Sequence, residues 1–395
     1  MIDAVKVRNV DESVKTDLVD SSVSMGGRTL EVRTRTESFV TPSRPITIPE
    51  LKAKSILAFN ESLEGDLGAV QVDLKGNRLV RFKNGNGMVR ATRLTMTKFS
   101  NLTSCFENFA TLDMPPITPD DLGTFKLILD MQSKVRMLNY ISLPPIASRD
   151  IRPLESLLRE WMKEADQRGK GVVPQLKMND ELDSFKKKLA LLSELAKSDQ
   201  IQIIDFAYAD PDRFPHQFVE LWKMRETNAI FNCSSVPGSG KEVSQGIHET
   251  QLIQLQKFGI DTITPLVRTP SKKYVAWLQF RQGPKTIEEI DDFRWAYHPA
   301  GSLMDNDLWY RIPSENIECR CRVCKGKDQN GIIDQYCYDE RGEITNYGMY
   351  SAARLHDASS SQIEYSVIRD RIKSREMKDY VSGLNENRRK RLIGQ

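Results

Sequence analysis

The chain has 395 residues, a net charge of +3, and 39% hydrophobic against 28% charged residues. That length and apolar content suit one large α/β barrel or two to three ordinary domains, and the near-balanced charge excludes a globally basic nucleic-acid binder. No apolar run approaches the roughly 18 residues of a membrane span, and the opening MIDAVKVRNVDESVK lacks the apolar core of a secretory signal. No membrane partner and a reducing, cytoplasmic compartment are therefore expected.

Residues 1–27 are polar and weakly patterned, and read as an N-terminal arm. From Arg28, RTLEVRTRTESFVTP alternates apolar with polar residues, the pattern of a strand or hairpin forming an N-terminal cap. Short apolar runs then recur as LGAVQVDL, FATLDMPP, MLNYISLPP, GVVPQLKM, IQIIDFAYADP, NAIFNCSSVP and GIDTITPLV. Amphipathic stretches such as DDLGTFKLILDMQSKVRM, ELDSFKKKLALLSELAKS and HETQLIQLQKF lie between several of them. Seven or eight strand–helix units predict a parallel sheet, and their number fits a (β/α)₈ TIM barrel over residues 28–312. An open nucleotide-binding sheet would need a glycine fingerprint after its first strand, and none is there. The nearest stretch, SSVPGSGKE, has Ser235 where a phosphate loop needs its first glycine and Glu242 where it needs a hydroxyl.

In such a barrel the chemistry sits where strands end and loops begin. Asp66, Asp113, Asp205, Asp210 and Asp292 are the aspartates read there, each with a helix-capping or turn role as the plainer alternative.

Residues 318–325 read ECRCRVCK, half of the chain's six cysteines in eight residues. In a reducing compartment C-x-C-x-x-C points to metal ligation rather than disulfides. His356, in the helical pattern YGMYSAARLHDASSSQIEYSVIRDRI, supplies a fourth donor, and Cys337 is the other cysteine downstream. Cys319, Cys321, Cys324 and His356 would form a closed tetrahedral Cys₃His site for structural Zn²⁺, tying a core-poor loop to a later helix. A metal-binding subdomain is thus expected over 313–360, followed by a C-terminal helix and basic tail at 361–395. Within the tail, Arg388, Arg389, Lys390 and Arg391 are a candidate phosphate-contacting run, or simply a solvated end. Cys105 and Cys233 read as core residues.

A Cys-x-Cys-x-x-Cys separated by 31 residues from a histidine, in a helix with a basic end, resembles the zinc subdomain of the tRNA-guanine transglycosylase superfamily. Weaker likenesses agree. VRTRTESFVTPSRPIT looks like that family's opening strand. EGDLGAVQV is similar to its Asp-Ser-Gly-Gly-Phe-Gln segment, matching at Asp66, Gly68 and Gln71. FATLDMPPITP resembles the strand whose terminal aspartate reads the base, which would be Asp113. The family's Gly-x-Asp-x-Phe-Asp nucleophile motif has two partial counterparts. FGIDTITPLVRT keeps Gly259 and Asp261 but has Thr264 in the attacking position, and IEEIDDFRWAYHPAGSL offers Asp292, with Asp291 behind it.

The resemblance, spanning roughly residues 28–375, implies a barrel with an inserted zinc subdomain and a pentosyltransferase activity. The enzyme would exchange guanine for a 7-deazaguanine base, such as 7-cyano-7-deazaguanine, through a covalent aspartate–sugar intermediate. Asp292 would be the nucleophile, with Asp261 as the alternative, and Asp66 the proton-transfer group. Asp113, Gly68 and Gln71 would bind the base, and Trp295, Tyr297 and Phe293 would stack on it or fill the core. Partners would be the free base and a nucleic acid. DNA is favoured over tRNA because the eroded motifs resemble the divergent branch found in phages and bacterial modification clusters; a phage-encoded chain would act in the host cytoplasm. A homodimer is compatible with this reading. The competing expectation is a catalytically silent zinc-containing barrel that binds nucleic acid or supports an active paralogue.

Overall fold

The computed structural model describes residues 1–15, 24–57, 65–84, 86–99, 105–267, 293–338, 342–344 and 346–393. The N-terminal segment is not an arm. Strand β1 (Ile2–Val10) is followed by a two-residue pair, β2 (Val14–Lys15) with β3 (Ser24–Met25), then by β4 (Arg28–Thr34) and β5 (Ser38–Val40). β4 pairs antiparallel with both β1 and β5. A register shift between Ile2 and Ala4 lets β1 bury both Ile2 and Val5, three residues apart, and these join Leu30, Val32 and Phe39 in one apolar cluster with Leu67, Phe109, Tyr140, Ile203 and Ile230. Those last five lie at or before the midpoints of barrel strands, so the three-stranded sheet plugs the N-terminal end of the barrel. The Ile2 amide donates to the Tyr140 hydroxyl at 2.8 Å across this contact.

The barrel is built from β6 (Gly65–Asp73), β7 (Cys105–Asp113), β8 (Tyr140–Leu143), β9 (Gly171–Lys177), β10 (Ile203–Ala207), β11 (Ile230–Val236) and β14 (Thr262–Pro265). These seven lie side by side in chain order, and every pair is parallel. The eighth stave is the proline-flanked segment Ser43–Ile46. Ser43 bridges Thr262 of β14 and Ile46 bridges Gly68 of β6, both in parallel, so the sheet closes on itself. Its hydrogen bonds run from Ser43 N to Asp261 O at 3.0 Å, Ile46 N to Leu67 O at 2.9 Å, and Ala69 N to Ile46 O at 3.0 Å. Prolines at 42 and 45 leave this stave few amides to donate, which explains why it forms only bridges. Helices Leu122–Ser133, Arg152–Asp166, Leu182–Lys197 and Pro215–Lys223 cover the outside as the amphipathic patterns predict. HETQLIQLQKF yields only the short helix Gln251–Gln254 and a 3₁₀ turn, because its first residues belong to a strand.

Residues 239–250 and 294–305, expected within the barrel, form a separate antiparallel sheet. It comprises β12 (Ser239–Ser244), β13 (Ile247–Thr250), β16 (Ser302–Asp305) and β15 (Arg294–Tyr297) in that order. The sequence around Cys337, whose pattern reads as a hairpin, begins as helix Gln329–Tyr336, capped by the Asp328 side chain, and has one antiparallel bridge after it, Tyr338 to Ile344. The helix Asn346–Ser374 carries His356 and runs past the expected boundary at 360. Among the described residues no helix is long and apolar enough to cross a membrane.

Two buried ion pairs clamp the seam around the short stave. Asp261, just ahead of β14, is fully buried and accepts both arms of the Arg28 guanidinium, the Thr41 hydroxyl at 3.2 Å and the Phe231 amide at 2.7 Å. Burial pushes its carboxyl up, and Arg28 then opposes that shift. Arg28 also donates to the carbonyls of Arg225, Thr227 and Ala229 and lies over the Phe231 ring. On the stave itself, buried Arg44 joins Glu50 to Asp357, the residue after His356. Burial works against the Asp357 carboxylate, but Arg44 and then His298 outweigh it and hold it well below the usual range.

Truncating one partner of a buried pair strands the other charge, which costs about 3–5 kcal/mol. Asp261→Ala is therefore expected to lower unfolding stability by about that amount in a denaturant titration. A loss of activity at unchanged stability would instead make Asp261 a reacting group.

Candidate metal centre and barrel mouth

Cys319, Cys321, Cys324 and His356 are brought together, with all four donor atoms within 4.8 Å of one another. The His356 Nδ1 lies 3.8, 3.3 and 3.2 Å from the three sulfurs in chain order. A tetrahedral ion with bonds of about 2.3 Å to sulfur and 2.0–2.1 Å to nitrogen places sulfur and nitrogen about 3.5 Å apart, so the donor set can hold a metal ion such as zinc. The peptide around it is shaped for that. The amides of Cys321 and Cys324 each point at the sulfur of the preceding cysteine at 3.4 Å. Lys325 and Gly326 then take positive φ of 50° and 72°, turning the chain back sharply after the third ligand.

The histidine is oriented from behind. Its Nε2 donates to the Ala296 carbonyl at 2.7 Å, which leaves the Nδ1 lone pair facing the thiols. Its ring stacks on Trp295 at 4.3 Å between centroids, and Trp295 stacks in turn on Trp309. Phe293, Trp295 and Tyr297 are buried, so this aromatic run packs behind the metal donors and is not a base-stacking surface. Hydrogen bonds from Cys321 and Cys324 hold the Cys319 thiol well below its ordinary range, toward the thiolate that ligates metals. Cys337 is buried with its thiol pushed up to about 12 and takes no part, and Cys233 is a core residue as expected. The Cys105 side chain lies outside the described residues.

Inside the barrel, a polar belt sits above the apolar plug. Gln175, Asp205, Asn232 and Thr262 are neighbours in register across β9, β10, β11 and β14. The Asp205 carboxylate accepts from Gln175 at 2.8 Å, Asn232 at 2.7 Å and Ser234 at 2.8 Å. Thr262 and Thr264 both donate to Asn232 Oδ1, at 2.9 and 3.1 Å. TIM barrel interiors are mostly branched apolar side chains, and burying polar ones requires this kind of mutual satisfaction. Burial raises the Asp205 carboxyl to about 6 against those three hydrogen bonds. Among the described residues one acceptor of the belt is left over: Gln175 Oε1 is buried with no partner there, and its residue lines a cavity of about 380 Å³ with Lys177, Pro145 and Asp180.

The sequence-nominated residues divide sharply. Gln71 and Asp113 meet at the C-terminal mouth, with Gln71 Nε2 donating to Asp113 Oδ2 at 3.1 Å while its Oε1 accepts from the Val267 amide at 2.7 Å. Lys75 pairs with the other Asp113 oxygen at 2.5 Å. Gly68 does not reach this mouth, because its backbone closes the seam with Ile46. Asp66 is the second residue of β6, at the plugged end and about 23 Å along the strand from Asp73 at about 3.3 Å per residue. The aspartate in register with Asp113 is Asp73, which sequence reading missed. Strand length was the missing signal, since only pairing from Gly65 to Asp73 shows where β6 ends. Asp261 is a seam latch, Asp210 caps a turn through the Asp212 amide, and Thr264 serves the polar belt. Asp291 and Asp292 lie outside the described residues, and β15 just after them belongs to the antiparallel sheet rather than the barrel.

The basic tail is also largely structural. Arg388 is buried against Ser302, Glu249 and the carbonyls of Ala300 and Gly301, and Arg391 donates to the Tyr297 hydroxyl at 2.9 Å.

Neither a family model nor a curated protein matches the chain. One solved structure, described as "Structural study of Project ID from Aquifex aeolicus VF5", is similar at 10% identity and a TM-score of 0.30, over 55% of this chain and 77% of its own. So slight a likeness bears on neither fold nor chemistry.

Two outcomes are expected. His356→Ala and Cys321→Ser each abolish bound metal in elemental analysis and lower the thermal midpoint, since binding free energy at such a site is folding free energy. Separately, between pH about 4 and about 6 the folded chain keeps the Asp205 proton that the unfolded chain releases. That raised carboxyl makes stability fall as pH rises through the window, by about 3 kcal/mol in all. Asp205→Asn flattens that limb of the profile in denaturant titrations at successive pH, and an unchanged slope would contradict the assignment.

Proposed function

We propose that the chain is a transglycosylase that exchanges guanine for a 7-deazaguanine base, 7-cyano-7-deazaguanine or a relative, in a nucleic acid, with DNA favoured over tRNA. One observation carries the reading. Gln71 and Asp113, nominated from two separate family-like segments 42 residues apart, are hydrogen-bonded to each other at the C-terminal mouth of a closed barrel. The Cys₃His cluster beyond the last barrel strand supports it, with Zn²⁺ as the proposed ion. Four protein donors leave that ion no open position, so its role is structural.

In this reading Asp113 accepts hydrogen bonds from the N1–H and exocyclic amine of a guanine-like ring, two adjacent donors facing two carboxylate oxygens. Gln71 and Lys75 fix its orientation. A nucleophilic carboxylate, with Asp292 still the candidate by resemblance, attacks C1′ and displaces guanine, which leaves with a proton. The incoming base gives up a proton to the same acid–base group and attacks C1′, freeing the carboxylate. Asp73 takes the proton-transfer role that the sequence alone assigned to Asp66, because it stands level with Asp113 on the adjacent strand.

Asp261 is locked to Arg28 and Thr264 holds the other attacking position, and these two facts favour the second reading, a silent nucleic-acid-binding barrel. Labelled 7-cyano-7-deazaguanine incubated with protein and either duplex DNA or tRNA separates them. Incorporation is expected into DNA, reduced about 10²–10³-fold by Asp113→Asn as an acceptor pair is lost. A denaturation-resistant protein–DNA adduct should vanish in Asp292→Ala. With no incorporation into either polymer and no adduct, the silent reading holds.

A further inference from the structure

The largest acid-free group of cations in the chain lies in the crossover between β6 and β7, not in its tail. From Leu74 to Phe99 it carries Lys75, Arg78, Arg81, Lys83, Arg90, Arg93 and Lys98 with no acidic residue, more positive charge than the whole chain's net +3. It folds into helices Asn77–Lys83 and Asn86–Phe99. A Cβ at Gly87 would lie 1.9 Å from the Arg81 carbonyl oxygen, so the second helix starts in direct contact with the end of the first. The pair leaves the barrel at its C-terminal mouth, where Arg78 pairs with Asp73 and Lys75 with Asp113. Lys83 pairs with Asp121. Arg81, Arg90 and Arg93 are exposed and have no ion pair among the described residues. Arg90 and Arg93 share one face of their helix, while Thr92 and Thr95 face inward. Val80, Val89, Leu94 and Met96 are exposed between the cations.

We infer that this helical pair is the docking surface for the phosphate backbone of duplex DNA beside the mouth. The inference rests on the transglycosylase reading for the identity of the polymer. An acid-free run of cations complements a polyanion, and three unpaired arginines leave charge free to displace counterions. A second copy of this chain is the wrong occupant, since a two-fold contact would set like charges face to face. The exposed apolar side chains between the arginines then lie against sugars, with the target nucleotide swung out toward Asp113.

The test is equilibrium binding of a short fluorescent duplex across a salt series, for wild type and for the triple variant Arg81→Glu, Arg90→Glu, Arg93→Glu. The expected result is an affinity loss of more than tenfold and a salt slope shallower by about 2–3, at about 0.9 per lost phosphate contact. The Gln triple should fall between, with helix content and metal content unchanged in both. A variant binding as tightly as wild type overturns the inference, as does a wild type that binds no duplex, or one that binds tRNA alone. Base incorporation assayed alongside keeps the two readings apart. Incorporation with unaltered variant binding defeats only the surface, and binding lost in the variant with no incorporation by wild type defeats only the exchange chemistry.

Discussion

The barrel depends on how the seam at Ser43–Ile46 closes. Most of the seven strands pair over several residues, but the eighth stave, Ser43–Ile46, contributes one bridge on each side because prolines at 42 and 45 remove amide donors. Side-chain charge does what the backbone there cannot. Beneath the stave, Arg28 and Asp261 join the plug sheet to the entry of β14. On the stave, Arg44 joins Glu50 to Asp357 and so to the long C-terminal helix. Desolvating these charges is expensive, so the pairs are better understood as fixing which segments meet than as a large net source of stability.

The same clamp couples the metal donors to the barrel. His356 and Asp357 are consecutive on one helix: the imidazole faces the three sulfurs, and the carboxylate faces Arg44 and His298. The stacked rings of Trp295, Trp309 and His356 fill the space between the antiparallel sheet and the cysteine turn. An ion held there would rigidify the helix that closes the seam.

At the mouth, polarity rises in layers. The apolar plug gives way to the belt around Asp205, and that to the charged rim of Asp73, Lys75, Asp113 and Lys177. Lys177 is pushed down by burial and then by Lys75, with Asp113 pulling the other way. Such a gradient gathers polar side chains at one end and leaves the other end to packing.

Much of this was legible in the sequence. The strand–helix alternation gave the barrel, and C-x-C-x-x-C with a downstream histidine gave the metal donors, because ligand spacing within a tight turn and a histidine on a helix are local properties. The place of Asp113 at a strand end was legible for the same reason, the proline pair after it marking the boundary. Tertiary structure alone decided the rest. Asp66 and Asp73 sit on one strand, and pairing with β7 determines which of them reaches the mouth. Asp261 looks like a catalytic aspartate until Arg28, 233 residues away, is placed against it. Periodicity and motif report what neighbours in sequence can do, whereas the protonation, partner and purpose of a buried carboxylate depend on groups that only folding brings near.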